Sequence, residues 1–179
     1  MAASILILTG PPGSGKSTVA KLLADAADVP TVHLHTDDFY AAIRKGFIPP
    51  WLAESQRQNE VVTRVIVEAA FGFAGGGYDV IVDGIVGPWF LEPFRQSSIR
   101  HAIVIDYVVL RPGLAVSLER ARKRTGEALN DEDAIRGLCE SFAELGPLER
   151  HCVDSSAQLP ADTVELVREG RRRGHFRLA

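Results

Sequence analysis

The chain has 179 residues, of which 46% are hydrophobic and 24% charged, and its formal net charge is −3. This size and composition fit one soluble globular domain over residues 1–179. The charge argues against a nucleic-acid-binding surface, which needs an excess of lysine and arginine. No apolar run is long enough to span a bilayer, no basic leader precedes the first apolar run, and the two cysteines lack metal-ligand spacing. We therefore expect a cytoplasmic protein with small-molecule partners and no membrane contact.

The beginning of the chain predicts a strand, a glycine-rich loop and a helix in that order. The apolar run from Ser4 to Thr9 lacks polar alternation, as expected of a parallel strand that is covered on both faces. Glycines then break the pattern, and apolar residues at helical spacing predict a helix from Ser17 to Ala27. A second strand is predicted from Thr31 to about Thr36.

The rest of the chain repeats this alternation of strands and helices. An amphipathic helix ends at three consecutive glycines, and a buried strand follows it from Tyr78 to Asp83. The remaining predicted elements are a strand from His101 to Leu110, a helix from about Pro112, a helix over 131–145, a short strand near His151 to Asp154 and a helix from Pro160 to about Arg173. Five strands alternating with helices predict a doubly wound α/β fold.

The glycine-rich loop carries the strongest motif in the chain. Gly10-Pro-Pro-Gly-Ser-Gly-Lys-Ser17 matches G-x-x-x-x-G-K-[ST] between a predicted strand and a predicted helix, which is the context that this phosphate-binding motif requires. The backbone N–H groups and the helix N-terminus bind the phosphates, Lys16 reaches the β- and γ-phosphates, and the Ser17 hydroxyl ligates Mg²⁺. The motif predicts ATP, or a related triphosphate, with Mg²⁺, and it defines the ligand class better than the reaction. The predicted nucleotide contacts are Gly10, Pro11, Pro12, Gly13, Ser14, Gly15, Lys16, Ser17 and Thr18.

Three aspartates are predicted at the carboxyl ends of strands, where ligands bind in open parallel sheets. Asp37 and Asp38 follow the second strand, and Asp83 ends the third. Phosphoryl transfer to an alcohol needs a carboxylate to orient the hydroxyl and accept its proton, and Mg²⁺ favours carboxylate oxygens. We expect Asp37 to be the base, with Asp38 as the alternative, and Asp38 and Asp83 to join Ser17 at the metal. A helix cap at Asp37 and Asp38 and a turn at Asp83 are the structural alternatives.

Two arginines predict a lid over about residues 120–131. Arg120 and Arg124 share one face of a predicted helix, and the segment after them has the composition of a short flexible cover. Arginines at the base of a lid stabilise charge on a transferred phosphoryl group, so we predict a catalytic role for both. A solvated basic face is the alternative.

Histidines and aromatic residues give weaker signals. The five histidines show no metal-ligand spacing, and we assign none of them to the site. Trp51, Trp89 and Phe90 fit a substrate pocket and ordinary packing equally well.

Taken together, these motifs resemble the small P-loop kinases of the nucleoside-monophosphate-kinase-like fold, including the gluconate kinase, shikimate kinase and chloramphenicol phosphotransferase families. The resemblance covers most of the chain and rests on five segments: Gly10 to Thr18, His35-Thr-Asp-Asp-Phe-Tyr40, Val80-Ile-Val-Asp-Gly84, Val109-Leu-Arg-Pro112 leading to Arg120 and Arg124, and Val153-Asp-Ser-Ser156. It implies a three-layer fold with a five-stranded parallel sheet in the order 2-3-1-4-5 and a small lid. It also implies that Asp37 engages the acceptor hydroxyl and that Val153 to Ser156 lie near adenine.

The chain departs from the signatures of several families in this group. Asp83 is followed by Gly-Ile-Val-Gly, not by the Gly-Phe-Pro-Arg of adenylate kinases, which argues against an AMP acceptor. The shikimate family's Asp-x-Asp and Gly-Gly-Gly do not occur at matching places, and no Asn-Lys-x-Asp guanine signature is present. Adenine is therefore the favoured base.

These observations favour an ATP-dependent kinase that phosphorylates a hydroxyl of a small molecule, with Phe39 to Trp51 and the helix from Gln56 forming part of the acceptor pocket. A regulatory ATPase or nucleotide switch without a small acceptor is the main alternative, and a toxin-like or nucleic-acid-end kinase is a third. The sequence identifies neither the acceptor nor the oligomeric state.

Overall fold

A five-stranded parallel sheet forms the centre of the protein, in the order β2-β3-β1-β4-β5. The computed structural model describes residues 3–123 and 131–178. The strands are β1 (Ser4–Thr9), β2 (Thr31–His35), β3 (Asp79–Asp83), β4 (Val104–Leu110) and β5 (Cys152–Val153). The strand order and the α/β fold class predicted from the sequence are confirmed.

Helices cover both faces of this sheet. Three short 3₁₀ turns, at Ala53–Ser55, Pro88–Phe90 and Gly146–His151, connect some of the elements. None of the helices within residues 3–123 and 131–178 is long and apolar enough to cross a membrane. The helices are α1 (Lys16–Asp25), α2 (Thr36–Ala41), α3 (Gln56–Gly75), α4 (Leu91–His101), α5 (Leu114–Arg122), α6 (Glu132–Ser141) and α7 (Pro160–Arg172).

Strand β1 lies between two hydrophobic cores, which explains its uninterrupted apolar sequence. Ile5 and Ile7 pack in the core beneath α3 and α4, whereas Leu6 and Leu8 pack on the opposite side beneath α1 and α7. All four side chains are fully buried. Each contributes about 2 kcal/mol of transfer free energy, so the strand is anchored from both faces.

The sequence pattern was wrong about the segment before β4. A strand was predicted from His101, but His101 is the last residue of α4 and the strand begins at Val104. Ala102 adopts a left-handed conformation, with φ of 53°, and ends the helix. Only Leu91, Phe94 and Ser97 of α4 are buried, so the helix has a narrow apolar stripe that is easily missed in the sequence.

The sheet register brings the ends of three strands together at one edge. His35, the last residue of β2, lies beside Asp83 of β3, and Asp83 lies beside Leu8 of β1. Because the strands are parallel, the segments that leave β1, β2 and β3 start at the same edge of the sheet. This edge carries the glycine-rich loop, the start of α2 and the loop after Asp83.

Candidate active site

The glycine-rich loop ends at a helix N-terminus without a protein cap. Gly15 is the N-cap residue of α1; no side chain caps this end, and the first turn contains no acidic residue. The first N–H groups of an α-helix have no partner within the helix, and the helix dipole makes this end attractive to anions. The start of α1 is therefore available to a phosphate group.

Close packing, in addition to phosphate binding, requires two glycines of this loop. A Cβ at Gly10 would lie 2.1 Å from the Leu110 carbonyl oxygen, at the end of β4. A Cβ at Gly13 would lie 2.3 Å from the Ser117 carbonyl oxygen on α5. Glycine at these two positions lets the loop pack directly against β4 and α5, because a side chain would collide with these carbonyl oxygens.

Lys16 and Ser14 are buried within the loop. Lys16 is 6% exposed, and its Nζ donates a hydrogen bond to the Pro11 carbonyl at 3.3 Å. The Ser14 carbonyl accepts a hydrogen bond from Ser155 Oγ at 3.1 Å. This bond joins the loop to the segment after β5, 141 residues further along the chain.

Asp83 lies fully buried between two histidines at the carboxyl edge of the sheet. Its Oδ2 is 3.3 Å from His33 Nε2 and 3.8 Å from His35 Nε2. The other oxygen, Oδ1, is buried and has no hydrogen-bond partner among the residues that the structure describes. Burying a carboxylate oxygen without a hydrogen-bond partner costs folding free energy, so this feature of Asp83 calls for a functional or structural reason.

His35 connects Asp83 to two other predicted site residues. Its Nδ1 accepts a hydrogen bond from the Asp37 backbone N–H at 3.2 Å, which makes His35 the N-cap of α2. When the ring is neutral, this bond places the proton on Nε2. Nε2 lies 3.4 Å from Ser17 Oγ. One imidazole therefore joins the start of α1, the start of α2 and the end of β3.

The residues around Asp83 fit a magnesium ion that is shared with a nucleotide. Ser17 and Asp83 offer the oxygen ligands that Mg²⁺ prefers, and the unpartnered Asp83 Oδ1 is a suitable acceptor for a cation or its water. No cluster of three or more His, Cys, Asp or Glu side chains that could hold a metal occurs within residues 3–123 and 131–178.

Asp37 and Asp38 lie in the first turn of α2, and both are exposed. Neither is the cap of this helix, because His35 has that position. Burial and the nearby Asp37 carboxylate raise the pKa of Tyr40 to about 12, so the Tyr40 phenol remains neutral. The structure places Asp38 on the same turn, with no hydrogen bond to Ser17 or Asp83.

Arg120 binds the segment after β5. Its Nη2 donates to the carbonyl oxygens of Ser155 and Ser156, at 3.0 and 3.1 Å. The Ser156 hydroxyl accepts a hydrogen bond from the Gly113 N–H at 2.9 Å, just before α5. Arg124 and most of the predicted lid lie outside the described residues.

Two cavities adjoin α3 near this edge. One, of about 610 Å³, is lined by residues of α2, the following loop and the first half of α3, including Phe39, Ile43 and Val62. This is the region in which the sequence placed the acceptor pocket. The other, of about 480 Å³, lies between the start of α3 and the segment that holds Trp89 and Phe90.

Sequence reasoning missed both histidines of the site. His33 and His35 are two residues apart on β2, and this spacing places both rings on one face of the strand. The available signal was therefore their alternation at the end of a strand, next to the aspartates, and not metal-ligand spacing.

Comparison with known proteins agrees with this geometry. A family model for an AAA domain (AAA_33) matches residues 5–145. A comparison with curated proteins found no match.

Several solved structures are similar to the chain. A gluconokinase from Sinorhizobium meliloti is 22% identical with a TM-score of 0.67, and the match covers 96% of this chain and 93% of that one. A sugar kinase from Janibacter sp. is 19% identical with a TM-score of 0.68, and the match covers 92% of each chain. A chain in the Pnkp1/Rnl/Hen1 RNA repair complex is 22% identical with a TM-score of 0.63. That match covers 78% of this chain but only 44% of the other, so this protein spans less than half of that relative.

Likeness at these identities establishes the fold, which is the three-layer α/β fold of P-loop nucleotide-binding proteins. The family match is independent of the solved structures and covers the phosphate loop, His35, Asp83 and Arg120. The protein therefore belongs to the AAA_33 family of AAA domains, with a P-loop nucleotide-binding fold.

Proposed function

We propose that the protein is an ATP-dependent phosphotransferase that moves the γ-phosphoryl group to a hydroxyl of a small molecule. The main support is the sheet register, which sets Asp83 next to the strand that leads into the phosphate loop and places α2, with Asp37, at the same edge. Phosphoryl transfer depends chiefly on positioning and on electrostatic stabilisation, and this arrangement supplies groups for both.

The phosphate loop has the binding role in this proposal. The uncapped start of α1 holds the phosphates, together with the backbone of residues 10–18, and Lys16 contributes the positive charge toward the β- and γ-phosphates. Ser17 and Asp83 hold the metal, and Asp38 remains a candidate third ligand. When bound, Mg²⁺ neutralises charge on the β- and γ-phosphate oxygens.

Asp37 has the proposed role of base. The acceptor oxygen forms a bond to the γ-phosphorus, the bond from that phosphorus to the β–γ bridging oxygen breaks, and ADP leaves. The proton of the acceptor hydroxyl passes to the Asp37 carboxylate. The exposed position of Asp37 on the first turn of α2 allows contact with a bound molecule.

Arg120 and Arg124 complete the proposal at the lid. The Arg120 contacts to Ser155 and Ser156 support a role in holding the segment predicted to lie near adenine. Stabilisation of the transferred phosphoryl group by Arg120 and Arg124 stays a prediction. Two of the similar structures are a sugar kinase and a gluconokinase, which is consistent with a small hydroxylated acceptor.

The first test is ADP release from Mg-ATP in the presence of candidate acceptors. Lys16→Ala should lower the acceptor-stimulated rate by about 100-fold or more, because it removes charge stabilisation of the transferred group. Lys21→Ala is the matched control, since Lys21 is an exposed lysine of α1 that pairs with Asp25. Its rate should stay at the wild-type value.

The Asp37→Asn variant distinguishes a role in phosphoryl transfer from a role in ATP binding. We expect this variant to lose a factor of about 10²–10⁴ in transfer rate while it binds ATP almost normally, because an amide accepts no proton. Asp38→Asn, one residue away, tests the alternative base. Unchanged turnover in Asp37→Asn would remove Asp37 from the role of base. Tight ATP binding without stimulation by any acceptor would instead favour a nucleotide-dependent switch.

A further inference from the structure

We infer that the acceptor is a hydroxylated ring compound, uncharged or carrying an ammonium group, and that it binds in the cavity between α3 and Trp89. This inference rests on the proposed phosphotransfer and specifies its substrate class. The cavity, called the Trp89 cleft below, has a volume of about 480 Å³, which suits a molecule of one or two rings.

The Trp89 cleft has one polar wall and one aromatic wall. Four polar residues of α3 recur at helical spacing, so they share one face of the helix. Trp89, Phe90 and Pro93 line the cleft as well, from the segment after β3. The four polar residues are Gln56, Asn59, Glu60 and Thr63.

Asn59 offers a hydrogen-bond acceptor within the polar wall. Its Nδ2 donates to the Pro50 carbonyl and to Ser55 Oγ, both at 2.8 Å, so both amide protons are used. Asn59 is 7% exposed, and its Oδ1 is buried without a hydrogen-bond partner in the described part of the chain. Because the Pro50 oxygen only accepts hydrogen bonds, the amide cannot be reversed. Asn59 therefore lines the cleft with an acceptor that no described residue uses, and because this atom is fully covered, the side chain must shift before a ligand can donate to it.

The charge of the cleft also favours an acceptor that is uncharged or carries an ammonium group. Glu60 is the only charged residue among the described residues that line it, and its carboxylate accepts a hydrogen bond from Gln56 Nε2 at 3.2 Å. An anionic acceptor placed here would meet a like charge and no basic partner. An ammonium group or a hydroxyl would find an acceptor at the exposed Glu60 carboxylate, so the cleft discriminates against phosphorylated or acidic substrates.

Trp89 provides an exposed aromatic surface. It is 48% exposed, and its ring packs against Phe142 with the ring centroids 5.6 Å apart. Gly87 lies close beneath the indole, since a Cβ there would be 2.3 Å from the ring. One side of the indole therefore packs against protein atoms, and the other side is exposed. Such a surface stacks on the apolar face of a ring, and it also attracts cations.

The cleft is tied to the phosphate loop through the segment between Asp83 and Trp89. The Val86 N–H donates to Thr9 Oγ1 at 2.9 Å, and Thr9 directly precedes Gly10. The Val86 carbonyl accepts from the Tyr107 hydroxyl at 2.9 Å. These two buried bonds fix the path of the segment from the metal-binding aspartate to the aromatic wall.

The larger cavity beside α2 is less suited to hydrogen-bonded recognition. Its walls are mainly aliphatic, and the Gln58 amide is already paired with the backbone of Ile48 through both its oxygen and its nitrogen. Its two charged residues, Glu54 and Arg57, are both exposed. The Trp89 cleft is the one that retains a buried, unused acceptor.

The test measures ADP release and acceptor binding with three probes: an amino sugar, an uncharged methyl glycoside and a sugar acid. We expect the first two to stimulate the wild-type enzyme and the sugar acid to fail. Trp89→Ala should raise the acceptor KM by about tenfold and leave the KM for Mg-ATP unchanged. Phe73→Ala is the matched control, because Phe73 is also an exposed aromatic residue, lies near the end of α3 and lines neither cavity. Trp89→Phe retains an aromatic ring and should recover most of the affinity.

A charge reversal supplies the second measurement. Glu60→Lys should weaken binding of the amino sugar by about tenfold, whereas Glu68→Lys, an exposed position two turns further along α3, should have no effect. If the enzyme prefers the sugar acid, and its KM is insensitive to Trp89→Ala and Glu60→Lys, this inference is wrong. That result would not contradict the proposed phosphotransferase activity. Absence of Lys16-dependent ADP release with every probe would overturn the proposed function itself.

Discussion

At the scale of single residues, His35 is the side chain that joins the separate parts of the site. Its two ring nitrogens face different elements, with Nδ1 toward the start of α2 and Nε2 toward Ser17 and Asp83. The ring therefore fixes the distance between the helix that carries Asp37 and the helix that carries Ser17.

The two nitrogens of His35 can be tested separately. His35→Asn keeps a polar atom near the Nδ1 position and should still cap α2, but it lacks a group at the Nε2 position. We expect its thermal midpoint to stay close to that of the wild type and its KM for Mg-ATP to rise about fivefold, equivalent to one hydrogen bond of about 1 kcal/mol. His35→Gln reaches the Nε2 position and should recover part of this loss. An unchanged KM in His35→Asn would show that Nε2 has no role in nucleotide binding.

Residue types with a fixed chemical role could be predicted from the sequence, whereas roles that depend on register could not. Lys16 and Ser17 could be proposed as site residues because the motif and its flanking elements define their positions. Asp83 could be proposed because it ends a buried strand. His35 could not, because its role depends on β2 pairing with β3 so that residue 35 meets residue 83. The unused Oδ1 of Asn59 was equally invisible, since it follows from bonds to a distant turn.

At the scale of elements, the loop after β3 and the start of α2 are in direct contact. A Cβ on Gly84 would lie 1.8 Å from Thr36 Oγ1, and the Gly84 N–H donates to the Leu8 carbonyl at 3.3 Å. Gly84 thus lies between the strand that leads to the phosphate loop and the helix that carries Asp37.

Gly84→Ala tests this contact. We expect the variant to be destabilised by about 1–3 kcal/mol in urea unfolding, because the added methyl group overlaps Thr36. Combining it with Thr36→Gly removes the overlapping side chain, so the double variant should lose less stability than the sum of the two single variants. Additive losses would show that the two elements are not coupled through this contact.

Elements with a broad apolar pattern were predicted well, and those held mainly by tertiary contacts were not. Strand β1 and helix α3 are recognisable because their buried residues recur at regular spacing. Helix α2 has only six residues and one buried side chain, so its apolar pattern is too short to predict a helix. Helix α4 has three buried side chains among eleven residues and was missed for the same reason.

At the scale of the whole molecule, His151 makes stability depend on pH. It is 1% exposed and lies against β4, where its Nδ1 contacts the Tyr107 carbonyl at 2.9 Å. Its Nε2 accepts a hydrogen bond from Arg150 Nε at 3.3 Å. Burial, with the nearby Arg150 and His175, lowers the pKa of His151, so the folded protein favours the neutral ring.

The sign of the effect follows from linkage. The unfolded chain takes up a proton near pH 6.5, whereas the folded protein resists it until a lower pH. The stability contributed by neutral His151 is therefore complete above pH 6.5 and is lost as the pH falls through the folded pKa. We expect the free energy of unfolding of the wild type to fall more steeply from pH 7.5 to 5.5 than that of His151→Gln. The exposed His101 supplies a control, and equal slopes in wild type and His151→Gln would contradict this account.

The overall architecture was predictable because it depends on patterns that repeat along the chain. Buried parallel strands, alternating helices and the phosphate motif together predict the α/β fold, the resemblance to the small P-loop kinases implies the sheet order, and the structure confirms both. The proposed acceptor site was less predictable, because the cavity is built from separate segments, including residues 50–63 and 89–93, that only the folded chain brings together.

The packing of Gly10 and Gly13 against Leu110 and Ser117 has a consequence for how sequences of this kind diverge. Selection for folding alone preserves both glycines, since any larger residue collides with a neighbouring backbone oxygen. The proposed role of Lys16 is different in kind, because it depends on the charge that the side chain offers to phosphates. A descendant that no longer catalysed the reaction would therefore still need both glycines to fold. The glycine pattern alone would not show that such a protein is still an active enzyme.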